Sequence, residues 1–169
     1  MITGDTYDPI SPILDVHKMV SGFILQAVED IPESRMTEQP GTLVNHPVWT
    51  LSHLNAYAGV LLSMFDDPSA PTADAEMEQF GYGTIPVADP SSYATKQELI
   101  DQFRDRNERL AAVVAQKHAI YFPRPAPEKY QPHAPTIGHI ALTLLVAHPA
   151  DHFGQLRLWR RVAGISDRE

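Results

Sequence analysis

Two histidines, His148 and His152, stand four residues apart in one of the most apolar helical stretches of the sequence. On an α-helix, residues i and i+4 share a face and lie roughly 6 Å apart, so both imidazoles can reach one metal ion. A third histidine, His53, lies on a similarly apolar face of another helical stretch. Zinc, nickel and ferrous iron all accept imidazole ligands. The pattern therefore favours a divalent metal site held by His53, His148 and His152.

The alternative is that these histidines are ordinary core residues with a hydrogen-bond partner on each ring nitrogen. A lone histidine on a core face, as His53 would be, is more typical of that alternative. A His-x-x-x-His pair on one core stripe is more specific for a metal. The pair is not the HExxH motif, because Asp151 does not occupy the position of its glutamate, and the spacing implies no general base.

Pro149 lies between the two spaced histidines. Inside a helix, proline removes a backbone hydrogen bond and clashes with the preceding turn, at a cost of about 3 kcal/mol. Two outcomes follow. A kink would open room for the metal and an outside ligand, whereas a break in the helix would separate the pair.

Three further side chains could border the same cavity. Tyr57 is one helical turn from His53, Gln155 is three residues from His152, and Trp49 could supply an apolar wall. Each of them is also typical of ordinary core packing. Three other histidines are expected to be exposed or terminal: His17, His118 and His133.

Four stretches with apolar residues at every third or fourth position predict four amphipathic helices. Their ends are marked by capping residues, by a Thr95–Glu98 capping box, and by proline or glycine. The predicted helices run from Ser11 to Pro32, from Asn45 to Phe65, from Thr95 to His118 and from Thr136 to Gly164. Because no stretch reads as a convincing strand, the sequence predicts an all-α, four-helix bundle.

Two connections are rich in proline. Residues 66–94 show no sustained period, and a link of that length predicts either a crossover between the second and third helices or a cover over a site. Residues 119–135 contain five prolines and are expected to be an extended surface segment.

Length and composition bound the class of protein. A chain of 169 residues, 43% hydrophobic and 20% charged, fits one globular domain over residues 1–169. A net charge of −8 argues against nucleic acid or an anionic membrane as the main partner. The cationic residues Arg157, Arg160 and Arg161 are expected to solvate the end of the last helix.

The chain has no cysteine, which excludes disulfides, thiolate zinc sites and a cysteine nucleophile. The first ten residues lack the basic and apolar regions of a signal peptide, and no apolar run approaches the roughly 20 residues that span a bilayer. We therefore expect a cytoplasmic protein.

The sequence around the histidines resembles the DinB/YfiT-like superfamily of metal-dependent proteins. The resemblance rests on Trp49-Thr-Leu-Ser-His53-Leu54, on His148-x-x-x-His152-x-Gly154-Gln155-Leu156, and on the segment that ends at Gly164. It implies a four-helix bundle with up-down-down-up topology and a divalent metal held by His53, His148 and His152. It also implies frequent homodimers, and relatives that include thiol-dependent S-transferases and maleylpyruvate isomerases that use a low-molecular-weight thiol.

Three functions remain open at this point. The first is a metal-dependent enzyme, with transfer of a thiol to an electrophilic small molecule favoured by the resemblance and metal-assisted hydrolysis as the alternative. The second is a non-catalytic protein that binds a metal or a small ligand. The third is a structural bundle whose histidines pair with backbone or water.

Overall fold

The structure is a computed structural model that describes residues 8, 10–43, 45–68 and 70–165. Within those residues the regular structure is helical, apart from one isolated bridge between Pro125 and Thr136. The all-α prediction is confirmed. The helices are α1 (Ser11–Glu29), α2 (Pro47–Met64), α3 (Ala73–Phe80), α4 (Lys96–Ala115), α5 (Ile137–Leu142) and α6 (His148–Val162).

Two of the predicted helix starts are confirmed by their capping hydrogen bonds. Thr95 and Glu98 form a reciprocal capping box at α4, and the Thr136 side chain accepts from the backbone N–H of His139 at α5. The predicted cap at Asn45 is wrong. The ring Nδ1 of His46 accepts from the Trp49 N–H at 3.3 Å instead, and this leaves the Asn45 amide free to bond elsewhere.

Both proline-rich connections contain more structure than their sequence predicts. The eight-residue α3 lies within the segment 66–94, between Pro71 and Gly81, and carries acidic residues in its first turn, where they complement the helix dipole. The segment 119–135 is not extended throughout, because it forms two short 3₁₀ turns, at Ala119–Tyr121 and Glu128–Tyr130.

Helix α2 is central to the packing. It lies against α4, α3 and α6, while α1 lies against α6 and α4. Fourteen residues of α2 are buried, so almost every face of this helix contacts protein. Such burial stabilises the fold by about 1.5–3 kcal/mol for each large apolar side chain. The fully buried apolar side chains include Ile24, Leu51, Leu61, Phe65, Phe103, Leu110, Leu145 and Trp159.

Two surface predictions are wrong. His17 is only 1% exposed, because the buried face of α1 includes this residue together with Val20, Ser21 and Ile24. Arg160 is 2% exposed and does not solvate the helix end. Its guanidinium donates to the Ala27 carbonyl at 2.8 Å and to the Asp30 carboxylate at 2.5 and 3.1 Å, which ties α6 to α1.

Among the described residues, no helix is both long enough and apolar enough to cross a membrane.

Candidate metal centre

Three imidazoles from two helices converge inside the bundle. His53 lies in the middle of α2, His148 is the first residue of α6, and His152 follows one turn later. The Nε2 atom of His148 lies 2.9 Å from Nε2 of His53 and 3.1 Å from Nε2 of His152. Ligands bonded to one ion at about 2.0–2.1 Å lie roughly 3 Å apart. The arrangement could therefore hold a metal ion.

A backbone carbonyl sets the tautomer of His53. Its Nδ1 lies 2.6 Å from the carbonyl oxygen of Phe80, at the end of α3. Because a carbonyl oxygen can only accept, Nδ1 must carry the hydrogen and donate it. The lone pair of the neutral ring is then on Nε2, which faces the other two histidines.

A network of amides sets the tautomer of His152. The Gln155 Nε2 donates to the Asp151 carboxylate at 2.9 Å, which fixes the orientation of the Gln155 amide. Its Oε1 then accepts from the Asn45 amide at 2.9 Å and from Nδ1 of His152 at 3.1 Å. Nδ1 of His152 therefore carries the hydrogen, and Nε2 presents a lone pair.

The two tautomers leave His148 with more acceptors than it can satisfy. Its Nε2 lies between the Nε2 lone pairs of His53 and His152, and a single hydrogen on that atom can serve only one of them. A cation between the three rings would bind every lone pair at once. The donor set and its outer hydrogen bonds are those of histidine-bound metals, so the residues present fit a divalent ion.

Electrostatics favours the neutral form of each ring. Burial, reinforced by the neighbouring His152, lowers the pKa of His53 to about 4. Burial and the two neighbouring imidazoles lower the pKa of His148 to about 3. Burial also lowers the pKa of His152. All three rings are neutral near pH 7, which a metal ligand requires.

The helix stays continuous across Pro149, and the break that would have separated the pair does not occur. A π-helical turn, Thr143–Ala147, joins α5 to α6 immediately before His148. The wider turn changes the backbone where the proline ring would clash with the preceding carbonyl groups. His148 and His152 therefore keep the i, i+4 relationship that the sequence predicts.

Aromatic rings form the walls around the histidines. The Trp49 ring is nearly parallel to His53, with centroids 4.7 Å apart, and lies 6.4 Å from His152. The Tyr57 ring lies 4.8 Å from His53 and 4.7 Å from His148.

Two contributors to the site escape the sequence analysis. The Phe80 carbonyl is a backbone atom and leaves no signal in the side-chain pattern. Asn45 does leave a signal, because it is a polar residue just before the Pro47 start of α2, but that position is more typical of a helix cap.

Comparison with known proteins gives two findings. A family model described as the DinB superfamily matches residues 24–156. A crystal structure of a protein from Streptococcus pneumoniae has the same fold, with a TM-score of 0.67 and 11% sequence identity. The superposition covers 95% of this chain and 94% of that one. A search of curated proteins gives no match.

Proposed function

Because the chain belongs to the DinB superfamily, we propose that it is a divalent-metal-dependent enzyme with His53, His148 and His152 as the ligands. The observation that carries this proposal is the convergence of Nε2 lone pairs on one point. The chemistry of the ligands suits zinc, nickel or ferrous iron. Three neutral ligands leave the full positive charge of the ion in place.

The reaction that we propose is transfer of a low-molecular-weight thiol to an electrophilic small molecule. The S–H bond breaks and a C–S bond forms, and the proton ends on the product of an addition or on the group that a substitution displaces. A divalent ion bound here would lower the pKa of a thiol or water that it coordinates. Among the described residues that hydrogen-bond to or stack on the three imidazoles, none is a carboxylate. Asp151, next to His152 in the chain, is exposed and accepts from Gln155. A thiol, with a free pKa of about 8.5, needs less assistance to lose its proton than water, with a free pKa of about 15.7, so an environment without a carboxylate base favours the thiol.

Tyr57 is the side chain best placed to contact a substrate. Its hydroxyl oxygen accepts from the Tyr82 N–H at 3.2 Å, so the hydroxyl hydrogen is still available to a ligand. Burial raises the pKa of Tyr57, which keeps the hydroxyl protonated as a donor. In this proposal Trp49 supplies the apolar wall, Tyr57 a hydrogen bond to the substrate, and Gln155 the support of His152.

The metal centre is tested by metal analysis of protein purified without a histidine tag. We expect about one divalent ion per chain, lost in His148→Ala and His152→Ala and kept in His133→Ala, which removes an exposed histidine. Stoichiometric metal in the two ligand variants would refute the assignment. Absence of metal from the wild type after incubation with zinc, nickel or ferrous ions would favour a purely structural bundle.

The reaction is tested by incubating the metal-loaded protein with bacterial thiols and electrophilic acceptors, and following the thioether product by mass spectrometry. Product that depends on both metal and Tyr57 supports the transferase. Hydrolysis of ester or amide probes without use of thiol would favour the metal-assisted hydrolase. A metal-loaded protein that turns over neither class is instead a metal-binding or ligand-binding protein.

We also propose the up-down-down-up order within a single domain over residues 1–169. Along α1 and α6, and along α2 and α4, the numbers of contacting residues increase in the same direction, which supports a parallel arrangement of each pair. Between α2 and α6 the numbers run in opposite directions, which supports an antiparallel arrangement. The supporting pairs are His17–Leu145, Phe23–Phe153 and Asp30–Arg160; Asn55–Leu99 and Asp67–Arg109; and Asn45–Gln155 and His53–His148.

Homodimerisation in the cytoplasm completes the proposal. It is supported by an apolar surface on α1, where Val16, Met19 and Phe23 are 37%, 50% and 41% exposed. Phe23 stacks on Phe153 of α6, so the apolar surface continues from α1 onto α6. Light scattering should give a dimer mass for the wild type and a monomer mass for Phe23→Glu. A wild-type monomer at 100 μM, on the order of the concentrations at which weak complexes form, would contradict it.

A further inference from the structure

A partly buried ion pair joins α4 to α3. The Arg106 guanidinium binds the Glu76 carboxylate with both arms, at 2.6 Å and 2.8 Å. Arg106 is only 5% exposed, and the two-armed geometry holds both partners in a fixed relative orientation. The pair therefore fixes the short helix α3 against the bundle.

The same guanidinium also binds the helix that carries His53. Its Nη1 donates to the backbone carbonyl of Asn55 at 2.6 Å, two residues after His53 in α2. In an α-helix the carbonyl of residue 55 normally accepts from the N–H of residue 59, which is Gly59. Arg106 is thus bonded both to α2 and to α3.

Gly59 makes this approach possible. A Cβ atom at position 59 would lie 2.8 Å from the Pro71 ring and 3.4 Å from Nη1 of Arg106. The 2.8 Å contact would push the segment that leads into α3 away from α2, whereas a Cβ at 3.4 Å from the guanidinium would be in ordinary van der Waals contact. The position is occupied by glycine because a close crossing, and not a turn, requires it.

Glu76 lies one helical turn before Phe80, and the Phe80 carbonyl is the group that accepts from Nδ1 of His53. A chain of contacts therefore runs from Arg106 through Glu76 and along one turn of α3 to His53. Its other branch runs from Arg106 through the Asn55 carbonyl to the backbone beside His53. The two branches fix the distance between the His53 ring and its acceptor.

We propose that Arg106 is a positioning residue of the metal centre, which holds the Phe80 carbonyl against Nδ1 of His53 and so keeps the Nε2 lone pair directed at the ion. This inference rests on the metal centre proposed above. Without the contacts that Arg106 makes to Glu76 and to the Asn55 carbonyl, α3 can move away from α2, and Nδ1 of His53 loses its acceptor. The ring can then carry its hydrogen on Nε2, and that tautomer cannot bind a metal through Nε2.

The test compares two ion pairs in the full-length protein. Glu76→Gln removes the charge from the Arg106 pair, and Asp30→Asn does the same to the pair between Arg160 and Asp30. The pairs are closely matched, since the arginine side chains are 6% and 3% exposed and the carboxylates 28% and 26% exposed. Zinc affinity is measured by competition with a chromophoric chelator, and folding is checked by circular dichroism and a urea melt.

We expect Glu76→Gln to weaken zinc binding about tenfold, the lower end of the effect of losing an outer-shell partner. Asp30→Asn should change the affinity less than about twofold. Arg106→Lys should also weaken zinc binding, because lysine cannot bond both carboxylate oxygens and the Asn55 carbonyl. It replaces Glu76→Gln if that variant is unfolded.

The ¹⁵N spectrum of the His53 ring in zinc-free protein is a second readout. The wild type should show the Nδ1–H tautomer, and Glu76→Gln should show a mixture of both. The role of Arg106 would be overturned, with the metal centre left intact, if Glu76→Gln changed neither the zinc affinity nor the His53 tautomer. It would also be overturned if Asp30→Asn weakened zinc binding as much as Glu76→Gln does. A wild type that binds no zinc would overturn the metal centre, and the role of Arg106 with it.

Discussion

The Nδ1 atom of His17 lies 3.0 Å from the backbone carbonyl oxygen of Leu145. In an α-helix this carbonyl would accept from the N–H of residue 149, but Pro149 has no N–H. Because a carbonyl can only accept, the imidazole donates to the nearer one, since its Nε2 lies farther, at 3.4 Å, from the Asn107 carbonyl oxygen. A side chain from α1 thus donates to a carbonyl whose α-helical partner the proline removes, within the π-helical turn that leads into His148.

We predict that loss of the His17 hydrogen bond in His17→Ala destabilises the protein by about 1–3 kcal/mol, in addition to the cost of the cavity that the ring leaves. Pro149→Ala supplies a backbone N–H at this position, so His17→Ala should cost less in that background. The measurement is a double-mutant cycle by urea unfolding, in which the cavity left by the ring appears in both backgrounds and cancels. Equal costs in both backgrounds would show that His17 does not compensate for Pro149.

The position of His17 shows how a periodic pattern can be read out of phase. The apolar residues that predict this helix are Ile13, Val16, Val20, Phe23, Ile24, Ala27 and Ile31. The helix is correct and most of its buried face is included, but His17 belongs to that face, whereas Val16 and Phe23 do not. A shift of one residue turns a helix by 100°, so Val16 and Phe23 become half-exposed. The missing donor at Pro149 was a signal that another group must approach Leu145, but no local rule identifies a partner 128 residues away.

Some features of the metal site can also be predicted from local sequence, whereas others depend on tertiary packing. The spacing of His148 and His152 follows from helix geometry and is predictable without a structure. The third histidine and the Phe80 carbonyl depend on how α2 and α3 pack, which spacing does not encode. Helix α3 escaped prediction because eight residues between Pro71 and Gly81 are too few to establish a period.

Gln155 should control metal affinity through the tautomer of His152. We predict that Gln155→Leu weakens zinc binding about 10–100-fold, because Nδ1 of His152 loses the acceptor that holds its hydrogen. Gln97→Leu is a matched control, since the Gln97 amide also donates to a carboxylate four residues away on a helix, that of Asp101, but far from the site in sequence. Competition with a chelator gives both affinities. Equal affinities in the two variants would contradict the assigned network.

The two tryptophans should differ in what their indole N–H groups contribute. Nε1 of Trp159 donates to the Glu38 carbonyl at 2.8 Å, whereas Nε1 of Trp49 is buried and has no hydrogen-bond partner among the residues that the structure describes. Both substitutions by phenylalanine remove similar volume, but only Trp159→Phe breaks a hydrogen bond. In metal-free protein we predict that Trp159→Phe costs about 1 kcal/mol more than Trp49→Phe. Urea unfolding measures both, and a larger cost at Trp49 would mean that its N–H has a partner in solution.

The metal-free protein should lose stability as the pH falls below about 6.5, the ordinary pKa of histidine in an unfolded chain. Burial lowers the pKa of His53 to about 4 and that of His148 to about 3 in the folded state. Between these values and 6.5 the unfolded chain binds more protons than the folded one, so acid favours unfolding. The loss should level off near the folded pKa values, where both states are protonated.

His148→Gln removes one of these groups, and its urea midpoint should therefore fall less steeply than that of the wild type between pH 6.5 and pH 4. The experiment is a set of urea melts in the presence of a chelator across this range. Parallel curves for the two proteins would mean that His148 is protonated in the folded, metal-free state at the same pH as in the unfolded chain.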